Sequence, residues 1–226
     1  MEFVIALLVS LFTVSTTRGQ DSDGGESHCF SFPGDTFLQF DFNNFNNSND
    51  IYFSLKFKTR ESNSVILYSR GSGTHYDDEA VFIRNGKVGY HLFNTSPTGV
   101  EGYFGAFFIG NELVNTNEWV TLHVYRMYRD VNSRQRRVHP KTGFAVEIQG
   151  VRHEYVDHLV RTDISLSNSI FIGGYSQPLS STIKRFVGQI RDIREHSNGL
   201  AFETPTLNFM ASVQTFCSED SEVEPN

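Results

Sequence analysis

Three consecutive acidic residues, Asp77, Asp78 and Glu79, stand just before a strand–turn–strand pattern in the segment HYDDEAVFIRNGKVGYHLFN (75–94). Carboxylates at such a place could form half of a catalytic pair, a set of metal ligands, or a solvated loop. Acid–base cleavage of glycans needs two carboxyl groups about 5–10 Å apart across the substrate. Adjacent residues on a strand point to opposite faces, so these contiguous acids do not supply such a pair. The sequence therefore disfavours catalysis and leaves the other two interpretations open.

The chain also contains a near match to a zinc-binding motif. In HEYVDH (153–158) the second histidine comes one residue later than in His-Glu-x-x-His, and the segment is not predicted to be helical. The two imidazoles would then not share a face, and we interpret His153 and His158 as ordinary surface or strand residues. No G-x-S-x-G sequence occurs. We predict that the protein is not an enzyme.

The elements that carry these residues show a period of two. In IYFSLKFK, for example, apolar residues alternate with polar ones, as on a strand with one buried face. Asn85-Gly86 lies between two such runs and predicts a type I′ hairpin turn, in which both central residues need positive φ. No apolar helical period persists for three turns. We predict an all-β, antiparallel two-sheet sandwich, with strands at Thr36–Phe42, Ile51–Lys58, Val65–Ser69, Ala80–Arg84, Lys87–Phe93, Glu101–Phe108, Trp119–Met127, Phe144–Ile148, Ser169–Ile172 and Phe186–Ile193.

The two ends of the sequence indicate the compartment. The apolar run Phe3–Val14 is too short to span a bilayer comfortably and is followed by small and polar residues, which predicts a signal peptide at residues 1–19. No second apolar run follows, so we expect no membrane span. We predict a secreted protein with a polar linker at 20–28, one domain at 29–217 and an acidic tail at 218–226.

Charge and cysteine content narrow the function classes further. The formal net charge of −7 excludes nucleic-acid binding driven by overall charge. The charge is uneven, because six Lys or Arg and one Asp lie between Arg126 and Lys141. The only two cysteines are Cys29 and Cys217. In an oxidising compartment such a pair predicts one disulfide, which would hold the two ends of a single compact unit together.

Five phrases, taken in order, resemble the laminin G (LNS) domain of the concanavalin-like jelly-roll superfamily: IYFSLKFKTRESNSVILYS, VFIRNGKVGYHLFN, NEWVTLHVYR, SIFIGGY and RFVGQIRDI. The resemblance covers about Cys29–Cys217 and implies a jelly-roll sandwich, in agreement with the strand pattern. Members of that family often have a cysteine after F-x-G, where this chain has Gln189. The resemblance therefore also implies that Cys217 pairs with Cys29.

The resemblance implies a calcium site at the acidic stretch. The position of Asp77 before the Asn-Gly hairpin matches a side-chain ligand of calcium-binding members, and Asp78 is one step away. The carbonyl of Asn94 matches a backbone ligand. A second side chain would come from TDISLSNS, with Asp163, Ser165 and Asn168 as the alternatives. Such hard oxygen ligands suit Ca²⁺, and so few carboxylates predict a dissociation constant of about 10⁻⁴–10⁻³ M.

A basic segment, Tyr125–Phe144, is longer than the usual hairpin connection of that family. Its guanidinium groups suit sulfate, so one hypothesis is binding of sulfated, heparin-like glycosaminoglycans. The pattern Arg-Gln-Arg-Arg is also typical of cleavage by secretory-pathway convertases, and a merely solvated loop is the third alternative. The predicted glycan-binding residues are Arg134, Arg136, Arg137, His139 and Lys141.

Two sequons predict N-glycosylation, at Asn46 and at Asn94. Asn46 lies in a turn and is the better acceptor, whereas Asn94 sits at the expected calcium rim and has Pro97 just downstream.

The resemblance implies a secreted, non-enzymatic module that binds matrix glycans or matrix and cell-surface proteins. One alternative is a carrier that holds a steroid or lipid between the two sheets. A second, disfavoured by the missing carboxylate pair, is a glycan-cleaving enzyme.

Overall fold

The structure, a computed structural model, describes residues 28–43, 45–48, 50–72, 77–94, 105–127, 140–159, 161, 164–177, 179–209 and 217. These residues form fourteen β-strands and no α-helix. The strands are β1 (Cys29–Pro33), β2 (Leu38–Asp41), β3 (Ile51–Lys58), β4 (Asn63–Arg70), β5 (Asp78–Arg84), β6 (Lys87–Phe93), β7 (Ala106–Ile109), β8 (Val120–Met127), β9 (Lys141–Ile148), β10 (Val151–Asp157), β11 (Ser169–Ile172), β12 (Val187–Glu195), β13 (Leu200–Ala201) and β14 (Leu207–Asn208).

The strands form two sheets in which the registered neighbours are antiparallel. Sheet A has the order β1-β12-β3-β8-β9-β10, with β13 paired to β12. Sheet B has the order β14-β2-β11-β4-β5-β6-β7. The predicted two-sheet, antiparallel sandwich is confirmed.

The alternation in the sequence decides which side of each strand is buried. On β3 the four apolar residues Ile51, Phe53, Leu55 and Phe57 are at most 1% exposed, and the residues between them are partly exposed. The buried faces of the two sheets meet in one core that is rich in phenylalanine. Its rings contact one another mostly edge to face, as Phe32 does with Phe186 at 5.9 Å between centroids.

The hairpin between β5 and β6 turns where predicted. Asn85 has φ of 52° and Gly86 has φ of 76°, the positive values that a type I′ turn requires. The turn sets the register in which Arg84 pairs with Lys87 and Asp78 with Phe93. It therefore fixes which residues meet at the opposite end of the hairpin.

Sheet B is also covered on its outer face, which the alternation did not predict. A second apolar cluster lies there, and the segment after β11 packs against it through Tyr175, Leu179 and Ile183. Its buried members are Phe37, Val65, Tyr68, Ala80, Phe82 and Phe171. Near-continuous apolar runs such as VILY and AVFI are typical of a strand buried on both faces.

Several predicted boundaries were wrong or incomplete. The structure adds β1, β10, β13 and β14, and β7 begins at Ala106, whereas residues 101–104 lie outside the described part. The predicted signal peptide (1–19), nearly all of the linker and the acidic tail also lie outside it. Across the described ranges, no helix is both long and apolar enough to span a membrane.

The predicted disulfide is present. Cys29, at the start of β1, is bonded to Cys217, 188 residues later, with 5.5 Å between the Cα atoms. The bond joins the beginning of sheet A to the end of the predicted domain.

Candidate functional site

The loop end of sheet B brings Asp77 and Asn94 together. Asp77 directly precedes β5 and Asn94 directly follows β6, and the last registered pair of that hairpin is Asp78 with Phe93. The two residues are therefore neighbours at the same end of the sheet. Both are buried, with 3% and 7% of their surface exposed.

Ser165 joins them from a third loop. Its backbone N–H donates a hydrogen bond to Oδ2 of Asp77 over 2.8 Å. The loop is held against the end of β4, because Ser72 N–H donates to Ser165 O at 3.0 Å and Ser167 N–H donates to Arg70 O at 2.8 Å. Three of the four predicted metal residues thus share one end of the sheet, and the fourth, Asp163, lies outside the described residues.

The chemistry of these groups fits calcium better than a softer metal. The donors are carboxylate, amide, hydroxyl and carbonyl oxygens, which Ca²⁺ prefers. Within the described ranges, no group of three or more His, Cys, Asp or Glu side chains could hold a metal. Among the candidate residues that the structure describes, Asp77 supplies the one carboxylate. The third alternative, Asn168, has a structural contact, because its Oδ1 accepts the N–H of Asn47 at 3.3 Å.

The other two acids of the stretch have separate places. Asp78 lies on the outer face of sheet B, with Oδ1 4.0 Å from Nδ1 of His91. Burial raises its pKa, and His91 partly offsets this. Glu79 points the opposite way into the core, where it is fully buried. The three contiguous acids therefore do not act as one cluster.

Glu79 belongs to a buried polar network that sequence reasoning missed. Its Oε1 accepts hydrogen bonds from Arg126 Nε at 3.0 Å and from the Tyr90 hydroxyl at 2.7 Å. Arg126 also donates through Nη2 to Oδ1 of Asn47 at 3.0 Å, and Asn47 Nδ2 donates to Ser167 O at 3.0 Å. The network links both sheets to two of the rim loops, and so it positions the candidate site.

The basic segment is described only at its ends. Lys141, the first residue of β9, lies with Nζ 4.0 Å from the ring centroid of Tyr125. Arg126, counted in the basic run from the sequence, is fully buried and paired, so it adds no surface charge. The remaining predicted glycan-binding residues, Arg134, Arg136, Arg137 and His139, lie outside the described residues.

The two predicted glycosylation sites differ in exposure. Asn46 is exposed, and its Oδ1 accepts the N–H of Ser48 at 3.0 Å, whereas Asn94 is buried.

The two histidines of the near-zinc motif contact different partners. His153 Nδ1 lies 3.0 Å from Glu112 Oε1, and His158 Nδ1 lies 2.8 Å from Pro140 O.

Comparison with known proteins decides the family. The laminin G domain family matches residues 57–198. This chain belongs to the laminin G domain family. Laminin G domains occur in extracellular proteins and are typically binding modules. No curated protein sequence matches the chain significantly.

Solved structures agree with this laminin G fold. Domains LG4-5 of the mouse laminin alpha1 chain are 12% identical with a TM-score of 0.62, covering 83% of this chain and 46% of that one. The LG1-3 region of the laminin alpha2 chain is 14% identical with a TM-score of 0.64, covering 84% and 35%. A heptameric SAP-like pentraxin from Limulus polyphemus is 13% identical with a TM-score of 0.50, covering 77% and 78%. The chain thus spans less than half the length of either laminin structure.

Proposed function

We propose that this laminin G domain is a secreted, non-enzymatic module that binds sulfated matrix glycans or matrix and cell-surface proteins, with Ca²⁺ held at the loop end of sheet B. The observation that carries the calcium part is the contact of Asp77 with the Ser165 backbone. It joins residues from distant parts of the chain at one rim, where they offer only hard oxygen donors.

Each predicted residue has a role in this proposal. Asp77 supplies the carboxylate, Asn94 supplies its backbone carbonyl, and Asp163 or Ser165 supplies a further oxygen. A bound Ca²⁺ would contribute positive charge for sulfate or carboxylate groups of the partner. The residues of this chain hold and orient the ion and keep the rim loops fixed.

The basic segment supplies the second part of the proposal. Arginine forks bind sulfate as they bind phosphate, and clustered charge raises the local concentration of a polyanion. Lys141 marks the place where the segment rejoins sheet A. The alternative function, a carrier that holds a steroid or lipid between the sheets, is less favoured because the buried faces of the two sheets meet in an aromatic core.

A glycan array with calcium or with chelator, each at two salt concentrations, tests the function. Binding that chelator removes would implicate Asp77, and binding that salt alone removes would implicate the basic segment. Absence of binding to any sulfated glycan under all four conditions would refute glycan binding.

Asp77→Asn and Asp78→Asn form a matched pair for the calcium site. We expect calorimetric Ca²⁺ binding to be lost in the first variant and kept in the second, because Asp78 lies on the outer face of sheet B. Asparagine retains an oxygen that can accept the Ser165 N–H, and melting in chelator checks that both variants fold. Equal calcium binding by both variants, or none by the unmodified chain, would refute the site.

A further inference from the structure

The outer face of sheet A carries an unusual set of side chains. Residues paired across antiparallel strands share a face, and the register places Arg191, Lys56 and Thr121 in one row, followed by Glu147 and Arg152. A neighbouring row runs from Arg194 through Ser54 and His123 to Ala145 and Glu154.

This face is positive although the chain is not. The register gives it six cationic side chains and two carboxylates, and a third carboxylate, Asp192, contacts Lys56, in a chain with a formal net charge of −7. The cations are Lys56, Lys58, Lys141, Arg152, Arg191 and Arg194, and the carboxylates are Glu147, Glu154 and Asp192.

The cations divide into paired and available ones. Lys56 lies 3.2 Å from Asp192, and Lys141 pairs with Glu154. Neither Lys58 nor Arg194 forms an ion pair with any of the described residues, and Arg194 is exposed. Charges without an internal partner can exchange water and counterions for an anionic ligand.

A row of rings gives the same face a rigid centre. Tyr52 stacks on His196 at 4.4 Å and on Tyr125 at 5.0 Å between centroids, and its hydroxyl lies 3.0 Å from His123 Nδ1. Burial raises the pKa of Tyr125 to about 12, so this phenol stays neutral at physiological pH. Hydroxyl and imidazole groups held in this way can hydrogen-bond sugar hydroxyls without much loss of side-chain entropy.

The dimensions suit an extended chain. From β12 to β10 there are four inter-strand steps of about 4.8 Å each, or about 19 Å across the sheet. In sequence, the basic segment connects β8, which ends at Met127, to β9, which begins at Lys141, and these two strands are neighbours in this sheet. A single small anion would use only a fraction of this surface.

We infer that the outer face of sheet A is the surface on which an extended sulfated polysaccharide lies, across the strands from Arg194 towards Arg152. The inference rests on the proposed glycan-binding function and assigns it a face that is separate from the calcium rim of sheet B. Lys58 and Arg194 supply available charge, and the Tyr52 ring row contacts the sugars.

The chain's own acidic segment is a second candidate to occupy this surface. The acidic segment 218–226 follows Cys217, which is bonded to Cys29, and Cys29 pairs in register with Arg191. A polysaccharide is favoured as the occupant because an extended chain can span the whole width of about 19 Å from β12 to β10. Occupation by the chain's own acidic segment is the rival outcome of the test.

Heparin affinity, measured by calorimetry at several salt concentrations, tests the inference with Lys58→Gln/Arg194→Gln. Arg84→Gln/Lys87→Gln is the matched control, because it removes two cations from the hairpin end of sheet B. We expect the face variant to bind roughly three- to tenfold more weakly with a shallower salt dependence. The control variant should bind like the unmodified chain.

The outcomes separate the two hypotheses. If the unmodified chain does not bind heparin, the glycan-binding function fails. If it binds, and only substitution of Arg134, Arg136 and Arg137 weakens binding, the function stands and the outer-face inference is wrong. If heparin binds only after residues 218–226 are deleted, the acidic segment occupies the face and the inference is also wrong.

Discussion

Glu79 on β5 and Arg126 on β8 form an ion pair between the two sheets, with 3.0 Å between Oε1 and Nε and both side chains fully buried. The Tyr90 hydroxyl donates to the same Glu79 oxygen, and Asn47 Oδ1 accepts a hydrogen bond from Arg126 Nη2. A buried pair of this kind contributes little net stability compared with apolar residues, but removing one partner leaves an uncompensated charge in the core.

We therefore predict that Glu79→Leu or Arg126→Met alone destabilises the domain by about 3–5 kcal/mol. The double variant Glu79→Leu/Arg126→Met should lose less than the sum of the two single changes, because no charge is left unpaired. Urea unfolding followed by fluorescence measures this coupling. Asp78→Asn, one residue away but on the outer face, is the control and should change stability little.

Strict additivity of the single and double variants would show that the two side chains do not stabilise each other. The same single variants also test whether the ion pair supports the candidate calcium site. Arg126 holds Asn47, which contacts the 165–168 loop, so the single variants should also weaken Ca²⁺ binding at Asp77.

The pair also shows what could be predicted from the sequence. Glu79 has the same parity as Val81 and Ile83, and Arg126 the same parity as Val124, so alternation alone places each charge in the core. It does not say which strands face one another across the sandwich, because that depends on connections between distant strands. The sequence could therefore predict that Glu79 and Arg126 are both buried, but it could not predict that they contact each other.

Whether a strand was predicted depended on whether its own residues show an apolar pattern. Strand β3 was predicted because one of its faces is clearly apolar, and the hairpin β5–β6 was predicted because Asn85-Gly86 lies between two apolar runs. The edge strand β10 was missed, since its residues are exposed or only partly buried and show no apolar alternation. Strand β1 is short and ends at Pro33, and β13 and β14 have two residues each. Such elements are set by pairing with a neighbour and not by their own sequence.

Exposure predicts which sequon carries a glycan. Asn46 is exposed and Asn94 is 7% exposed at the rim, so we expect secreted protein to be glycosylated at Asn46 alone. Enzymatic deglycosylation, which converts a glycosylated Asn into Asp, followed by peptide mapping identifies the site. Full occupancy of Asn94 would be incompatible with its burial and would count against calcium binding at this edge.

The disulfide predicts a specific result if the basic segment is cleaved. Cleavage after Arg137 would separate the chain between β8 and β9, but Cys29 and Cys217 lie on opposite sides of the cut and remain bonded. The two pieces should then migrate together without reductant and separately with it. A variant with Arg136 and Arg137 changed to Gln should stay intact under both conditions, and separation without reductant would contradict the disulfide.

The disulfide should also stabilise the intact domain. On the chain-entropy model a loop of this length contributes roughly 5 kcal/mol, which is an upper figure. We predict that Cys29→Ser/Cys217→Ser lowers the free energy of unfolding and leaves the calcium affinity of the folded fraction unchanged, because Cys29 begins β1 in sheet A, whereas the calcium rim lies at the loop end of sheet B. Equal urea midpoints for the two proteins would contradict this.

His123, on the outer face of sheet A, should make the stability of the domain depend on pH. Burial lowers its pKa, and Arg152, His196 and Lys141 act in the same direction, while Glu147 opposes them. In the unfolded chain the imidazole titrates near 6.5, so below that pH the unfolded state binds more protons than the folded state. The contribution of His123 to the free energy of unfolding is therefore fully present above about pH 6.5. It is lost as the pH falls towards the lowered pKa of the folded state.

The melting temperature of His123→Gln, measured from pH 7.5 to 5.5, should fall less than that of the unmodified protein over the same range. His91→Gln, on the outer face of sheet B beside Asp78, serves as the control and should retain the original slope. Because protonated His123 adds charge between Arg194 and Arg152, heparin affinity should rise as the pH falls, and this rise should be smaller in His123→Gln. A rise of equal size in both proteins would place the titrating group elsewhere.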